Sequence, residues 1–500
     1  MAPSRRLFGG IRLSARVLLL GSVLLASLAV LVRPVSDPDV WMHLAAGGWI
    51  VAHRRLPDHD LFTYTVPAHR WTDAEYLSQV AMSLIHATTG LAGVSAVFGL
   101  LMWGGVVLAV LAARPGRQPY VIVAAGLALA VVAGLPVWEA RPQVATFFLL
   151  SLELLWIRRS IEGTGRAILL LPVLMVLWSN LHGGWPAGLL FLAVAIAAET
   201  ARWLADRASP VHLAQVRRLT AVAAVSLLAV GVNPNGLPVY VYPLQTIASA
   251  AQQGLIAEWQ SPDFHQAIFR GFEVMLLLVV AGLAASRPNL LDVLLVLTGI
   301  ALALESVRNI ALFVAAATPV LIVTWSDVWR RAAARGALAR RARVAPRWLP
   351  AATAGLLALV AGLVAARIAT NLALQPEVTS RVAPVGAADW LAAHPEAGTR
   401  VFNEYGYGDY LAYRFSPEPN RRVFVYSEGV VMGDAQLERY EEVVTLGPRW
   451  RQVIDQAGVD YVVVSRGCPL DVALAGQPGW RLAYADPTAV IYLRAGAARS

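Results

Sequence analysis

Long apolar runs separated by short polar breaks fill the first 375 residues, and the pattern then changes character. Eleven runs approach the roughly 20 residues that a helix needs to cross about 30 Å of hydrocarbon. They lie at 14–33, 92–113, 119–137, 143–157, 167–182, 185–204, 217–232, 271–286, 289–305, 308–325 and 349–370. The runs 143–157 and 167–182 are short enough for a tilted or partly re-entrant path. Two longer polar segments interrupt the series. In 36–91, DVWMHLAAGGWIVAH has Val40, Leu44, Trp41 and Ile50 at the spacing of a short amphipathic helix; a break follows at Pro57, and helical periodicity resumes through WTDAEYLSQVAMSLIHATTG. The segment 233–270 opens on the turn-rich NPNGLPVYVYP and continues through a helix to IAEWQSPDF. It is apolar enough to be expected on or in the membrane interface.

From 376 to 500 the periodicities are those of a soluble α/β domain. The pattern predicts helix 385–394, strand 399–404, a glycine-rich turn at YGYGDY and strand 422–427. Helices 434–446 and 448–457, strand 459–465, a short helix, and strands 480–485 and 488–493 follow. VDYVVVS is a continuous β-branched run of the kind buried on both faces.

Composition agrees with the pattern: 57% hydrophobic, 15% charged and a mean hydropathy of +0.57. The fold class expected is a polytopic α-helical membrane protein of about eleven spans, residues 1–375, followed by an α/β domain at 376–500. The single cysteine, Cys468, excludes an intrachain disulfide and a thiolate metal cluster. The net charge of +9 is carried by arginine, since lysine is absent. These arginines concentrate in alternate short loops: Arg114, Arg117, Arg158, Arg159, Arg166, Arg202, Arg207, Arg217, Arg218 and Arg287, then Arg330, Arg331, Arg335, Arg340, Arg341, Arg343 and Arg347. Positive charge of this kind marks the cytoplasmic side. It is a topological signal, so nucleic acid is not an expected partner. Arg5, Arg6, Arg12 and Arg16 ahead of Val17–Val32 predict a retained signal anchor with the N-terminus in the cytoplasm of a multi-pass plasma-membrane protein.

That orientation puts the mixed chemistry on the outer side, together with every histidine but His212. The densest stretch is SDPDVWMHL, where Asp37 and Asp39 precede Trp41 and His43. Glu139 and Arg141 in WEARPQ, His182 in NLHGG, Asn233 in NPNG, Glu258 in EWQSPDF, and Arg308 and Asn309 in ESVRN complete the candidates. Ionisable groups at span ends suggest a site unless solvated or paired. A carboxylate there can act as general base or hold a metal, and a guanidinium fork suits a phosphate. The simpler readings are that Asp37 and Asp39 end a helix in water, that Arg141 snorkels and that Arg308 pairs with Glu305. The tryptophans Trp41, Trp49, Trp71, Trp138, Trp185 and Trp259 read most simply as an aromatic belt. YGYGDY lacks the Lys-Ser/Thr of a phosphate loop, and Asp409, Glu428 and Asp434 are expected at the surface. The histidines show no HExxH spacing.

A first span, an acidic motif directly after it in a long outer loop, about a dozen spans and an outer C-terminal domain resemble the plan of the GT-C integral-membrane glycosyltransferases. DPDVWMHLAAGGWI, LPDHDLFTYT, EARPQ, NLHGG, NPNG and EWQSPDF further resemble uncharacterised bacterial membrane proteins. The GT-C resemblance implies a hexosyl- or pentosyltransferase that moves a sugar from a polyprenyl-phosphate donor at the bilayer to an extracytoplasmic acceptor. It maps the family's first-loop acid to Asp37 or Asp39, as base or acceptor-positioning carboxylate, with a divalent metal such as Mg or Mn in some members. The alternatives are a membrane transporter, against which the span-end position of the charges argues, and a non-catalytic cell-envelope assembly protein.

Overall fold

The computed structural model describes residues 3–335, 348–416 and 421–495. Arg340, Arg341, Arg343 and Arg347 of the predicted inner loop lie outside them, as do the side chains of Arg5, Arg6 and Arg12. The N-terminal part comprises α1 (Pro3–Leu31), α2 (Asp39–His53), α3 (Tyr76–Ala112), α4 (Tyr120–Ala133), α5 (Gln143–Ile161), α6 (Leu171–Leu181) and α7 (Pro186–Ala205). It continues with α8 (Pro210–Ala229), α9 (Pro238–Ala248), α10 (Ala250–Leu255), α11 (Arg270–Ala285), α12 (Leu290–Glu305), α13 (Ile310–Arg335) and α14 (Leu349–Ala373). Each of the eleven apolar runs falls on one of these helices. Six segments are long and apolar enough to cross a membrane: Tyr76–Ala112, Pro186–Ala205, Pro210–Ala229, Ala267–Ala285, Val307–Arg335 and Leu349–Ala373. A count of eleven requires the shorter helices to cross as well.

Burial sorts the helices. The most apolar window of α13 is 78% buried, against 6% for that of α14, so α13 is the axis of the bundle and α14 lies at its edge against α1. The sequence of α13, with IALFVAAATPV apolar all round, suits that central position. One span of the predicted pattern is extended: α3 runs through the expected break at Gly90, which takes φ 67° and kinks the helix there.

The C-terminal domain follows α15 (Gln375–Val382). It contains α16 (Val385–Ala393), β1 (Val401–Asn403), α17 (Tyr405–Phe415), α18 (Gly429–Met432), α19 (Asp434–Val444), α20 (Trp450–Gln456), β2 (Tyr461–Ser465), α21 (Pro469–Ala475), β3 (Trp480–Ala485) and β4 (Ala489–Arg494). The sheet order is β1-β2-β4-β3, with β1 parallel to β2 and the other pairs antiparallel. VDYVVVS supplies β2, whose first four residues are buried.

Two expectations change. YGYGDY is the first turn and a half of α17 instead of a turn. Its glycines are needed for packing: a Cβ at Gly408 would overlap the carbonyl oxygen of Val425, and Gly406 rests on the Pro38 ring. Close approach of the two backbones outweighs the roughly 1 kcal/mol that glycine costs inside a helix. Residues 422–427 form isolated bridges, Arg400 with Arg422 and Thr63 with Val423, instead of a strand. The second bridge ties the first outer segment to the C-terminal domain. Val423 N donates to Phe62 O at 3.0 Å, Thr65 Oγ1 donates to Phe424 O at 2.9 Å, and Trp41 packs edge-on to Tyr410 at 4.9 Å. The two parts therefore meet over a continuous apolar and hydrogen-bonded surface.

Candidate active site

Two short acid pairs enter the same end of the bundle. SDPD places Asp37 just ahead of α2 and Asp39 at its first position, and TDAE places Asp73 and Glu75 directly ahead of α3. In each pair the first side chain accepts the amide of the second residue. Asp37 Oδ1 lies 2.9 Å from Asp39 N, and Asp73 Oδ1 lies 3.1 Å from Glu75 N. Such turns fix the direction of both carboxylates. The other oxygens differ in fate: Asp37 Oδ2 pairs with Arg141, while Asp73 Oδ2 is buried without a partner.

Arg141 comes from the loop between α4 and α5. Besides Asp37, its Nη1 reaches Asp39 Oδ2 at 3.4 Å and Glu258 Oε2 at 2.7 Å. Glu258 Oε2 also accepts from Arg308 Nε at 3.2 Å, and that guanidinium stacks over the Trp259 ring at 4.7 Å. Arg308 thus pairs with Glu258, not Glu305. Asn309 donates to Leu302 O at 3.1 Å and holds the turn that presents Arg308. Burial raises the Asp39 carboxyl to about 7, opposed by Arg141 and reinforced by Asp37 and Glu258. For Glu258 burial acts upward, but Arg141 and Arg308 outweigh it and hold the group below its usual range.

On the other side of the site, Glu75 lies between two imidazoles. His182 Nε2 is 3.2 Å and His43 Nδ1 3.7 Å from its oxygens. His182 Nδ1 accepts the Gly184 amide at 2.9 Å, which leaves Nε2 to carry the proton toward Glu75. Burial is the largest cause at both imidazoles and lowers them to about 3, with Arg141 acting the same way on His43 and Arg308 on His182. Burial likewise raises Asp73 to about 7 and Glu75 to about 8.

The C-terminal domain closes the site from above. Asp409 and Glu428, expected at the surface, are buried. Asp409 Oδ1 accepts the Ser427 amide at 3.0 Å, and its charge is close enough to Asp39 to raise it further after burial. Glu428 is raised by burial first and then by Glu75 and Asp73. Asp434, half-buried, accepts from Ser249 Oγ at 2.5 Å.

The structure therefore brings together Asp37, Asp39, His43, Arg141, His182, Glu258 and Arg308. Glu139 stands beside them, paired with Arg33 at 2.6 Å. Asn233 is spent in a turn: it donates to Ser179 O at 2.8 Å and accepts from the Asn235 amide at 2.9 Å. Sequence reasoning missed Asp73, Glu75, Asp409 and Glu428. The repeat of an acid-x-acid pair ahead of a helix, in TDAE as in SDPD, was the signal for the first two. Trp41, Trp71, Trp138 and Trp185 are buried, so they are core residues instead of a belt. Among the described residues no three His, Cys, Asp or Glu side chains are grouped to hold a metal ion. Arg141 occupies the position between Asp37 and Asp39, so that pair does not fit a Mg or Mn ion.

No protein-family model and no curated protein sequence matches the chain. Solved structures do match. The archaeal oligosaccharyltransferase AglB from Archaeoglobus fulgidus, solved with an inhibitory peptide and a dolichol-phosphate, superposes with a TM-score of 0.55 at 12% identity, over 95% of this chain and 74% of that one. ArnT from Cupriavidus metallidurans in the apo state superposes with a TM-score of 0.50 at 15% identity, over 99% of both chains. Such identities speak for architecture alone: this chain shares its fold with AglB and ArnT.

Proposed function

We propose that the protein is a membrane glycosyltransferase that transfers a hexose or pentose from a polyprenyl-phosphate donor to a hydroxyl of an extracytoplasmic acceptor in the cell envelope. The N-terminus is cytoplasmic in this reading, and the C-terminal domain lies outside the plasma membrane. The observation that carries the proposal is the Arg141–Glu258–Arg308 ladder beside Asp39 at one end of the helical bundle. AglB, with the same fold, was solved with a lipid phosphate.

The roles divide by accessibility. Asp37 is 2% exposed at its side chain and spent on Arg141 and the Asp39 amide, whereas Asp39 is 20% exposed. Asp39 is therefore the base. Arg141, at 10%, holds the carboxylates, and Arg308, at 32%, is the guanidinium open to a donor phosphate. The acceptor hydroxyl gives its proton to Asp39 as its oxygen bonds to the anomeric carbon. The bond from that carbon to the phosphate oxygen breaks, and its electron pair leaves on polyprenyl phosphate, facing Arg308. The pair of arginines supplies the positive field, and no step requires a metal.

Asp39→Asn assayed for radiolabelled sugar transfer in vesicles tests the assignment. A loss of roughly 10²- to 10⁴-fold is expected for a general base; activity equal to wild type would sink it.

A further inference from the structure

Phosphate binding leaves half of the site unexplained. Asp73 and Glu75 ahead of α3 lie near enough to Glu428 ahead of α18 for their charges to act on it, and Tyr242 of α9 donates to Glu428 Oε1 at 3.5 Å. Among the described residues no guanidinium pairs with Asp73, Glu75 or Glu428. Their neighbours are instead two neutral imidazoles, one of which is fixed as a donor by the Gly184 amide. Two polar atoms here, Asp73 Oδ2 and His43 Nδ1, belong to residues 2% and 4% exposed and have no hydrogen-bond partner. Buried polar atoms are rarely left so, and both belong to the wall around Glu75.

We propose that this half is the acceptor subsite and that it takes a neutral polyhydroxylated sugar ring, held by the carboxyls of Asp73, Glu75 and Glu428 and the Tyr242 hydroxyl. Arg141 and Arg308 act on Glu75 without pairing with it, so an anionic acceptor would find no guanidinium in contact with these three acids. A hydroxyl both donates and accepts, as do a carboxylic acid and a phenol, so each buried group can be satisfied in either sense. Burial favours the neutral form of all three acids, which supports that chemistry. Glu75 is also close enough to Asp39 for the two charges to interact, so a ring bound here presents a hydroxyl to the base. Because Glu428 belongs to the C-terminal domain, that domain selects the acceptor from within the site. The assignment of acceptor rests on the glycosyltransferase reading; the sugar pocket itself does not.

The test uses the full-length protein in lipid nanodiscs. Saturation-transfer NMR reads the binding of methyl glycosides of the common neutral hexoses and pentoses, with methyl glucosaminide and methyl glucuronide as charged controls. Decaprenyl phosphate binding is measured in parallel. A neutral glycoside is expected to bind, and Glu428→Gln and Tyr242→Phe each to weaken it about tenfold, the worth of one buried hydrogen bond, with decaprenyl phosphate binding unchanged. Tyr242→Phe removes one hydroxyl and guards against misfolding of the Glu428 variant. Absence of glycoside binding, binding indifferent to both substitutions, or preference for a charged control overturns the proposal. Glycoside binding as expected, with no decaprenyl phosphate binding by wild type, overturns the donor reading instead and leaves the pocket standing.

Discussion

Arg141 Nη1 lies 2.7 Å from Glu258 Oε2, across a separation of 117 residues. This contact joins the loop after α4 to the segment before α11 and orients both toward Asp37 and Asp39. Every other candidate charge is arranged around it.

Removing Arg141 is therefore expected to do more than weaken substrate binding. Asp37 would be left as a buried carboxylate without its ion-pair partner, a change that typically costs about 3–5 kcal/mol. Arg141→Ala should unfold at a lower temperature than Arg308→Ala, whose guanidinium is the more exposed. Thermal unfolding in detergent decides the order.

Transfer should depend on pH through Asp39. A base raised to about 7 is protonated and idle below that value, so kcat/KM should climb about tenfold per pH unit up to neutrality and then level. Asp39→Asn should remove this limb of the profile.

Asp73 gives a stability prediction of definite sign. Its carboxyl is raised from 3.8 to about 7 in the folded protein, so the folded state holds the proton more tightly than the unfolded chain. Stability from this group is complete below about 3.8, declines as pH rises toward 7, and is gone above it. Asp73→Asn preserves the oxygen that accepts the Glu75 amide and cannot ionise. Its Tm should exceed that of wild type at pH 8, and the gap should close on acidification.

The junction of the two parts makes a further prediction. Trp41, 6% exposed, packs on Tyr410 and Tyr413, and Trp41→Ala should cost about 3–5 kcal/mol. Gly408→Ala should be damaging despite the helical gain, because the new methyl meets the Val425 carbonyl. In both variants limited proteolysis should cut between 376 and 400 sooner than in wild type.

The hydrophobic pattern alone carried the helices under the eleven apolar runs and the four strands of the sheet, though not α17 or the irregular 422–427, because 3.6- and 2-residue periodicities are local properties of the chain. Sequence chemistry also picked Asp37, Asp39, Arg141, His182, Glu258 and Arg308, since charges at the ends of apolar runs stand out against their surroundings. It could not join Arg141 to Glu258, nor separate the buried Asp37 from the more open Asp39. It placed Asp409 and Glu428 in water because an acid in a soluble stretch is usually solvated. Only the tertiary structure laid α17 over Pro38 and set Glu428 against Asp73 and Glu75. Burial and partnership are properties of what packs on a residue from elsewhere in the chain, and these decided which acids come together around SDPD and TDAE.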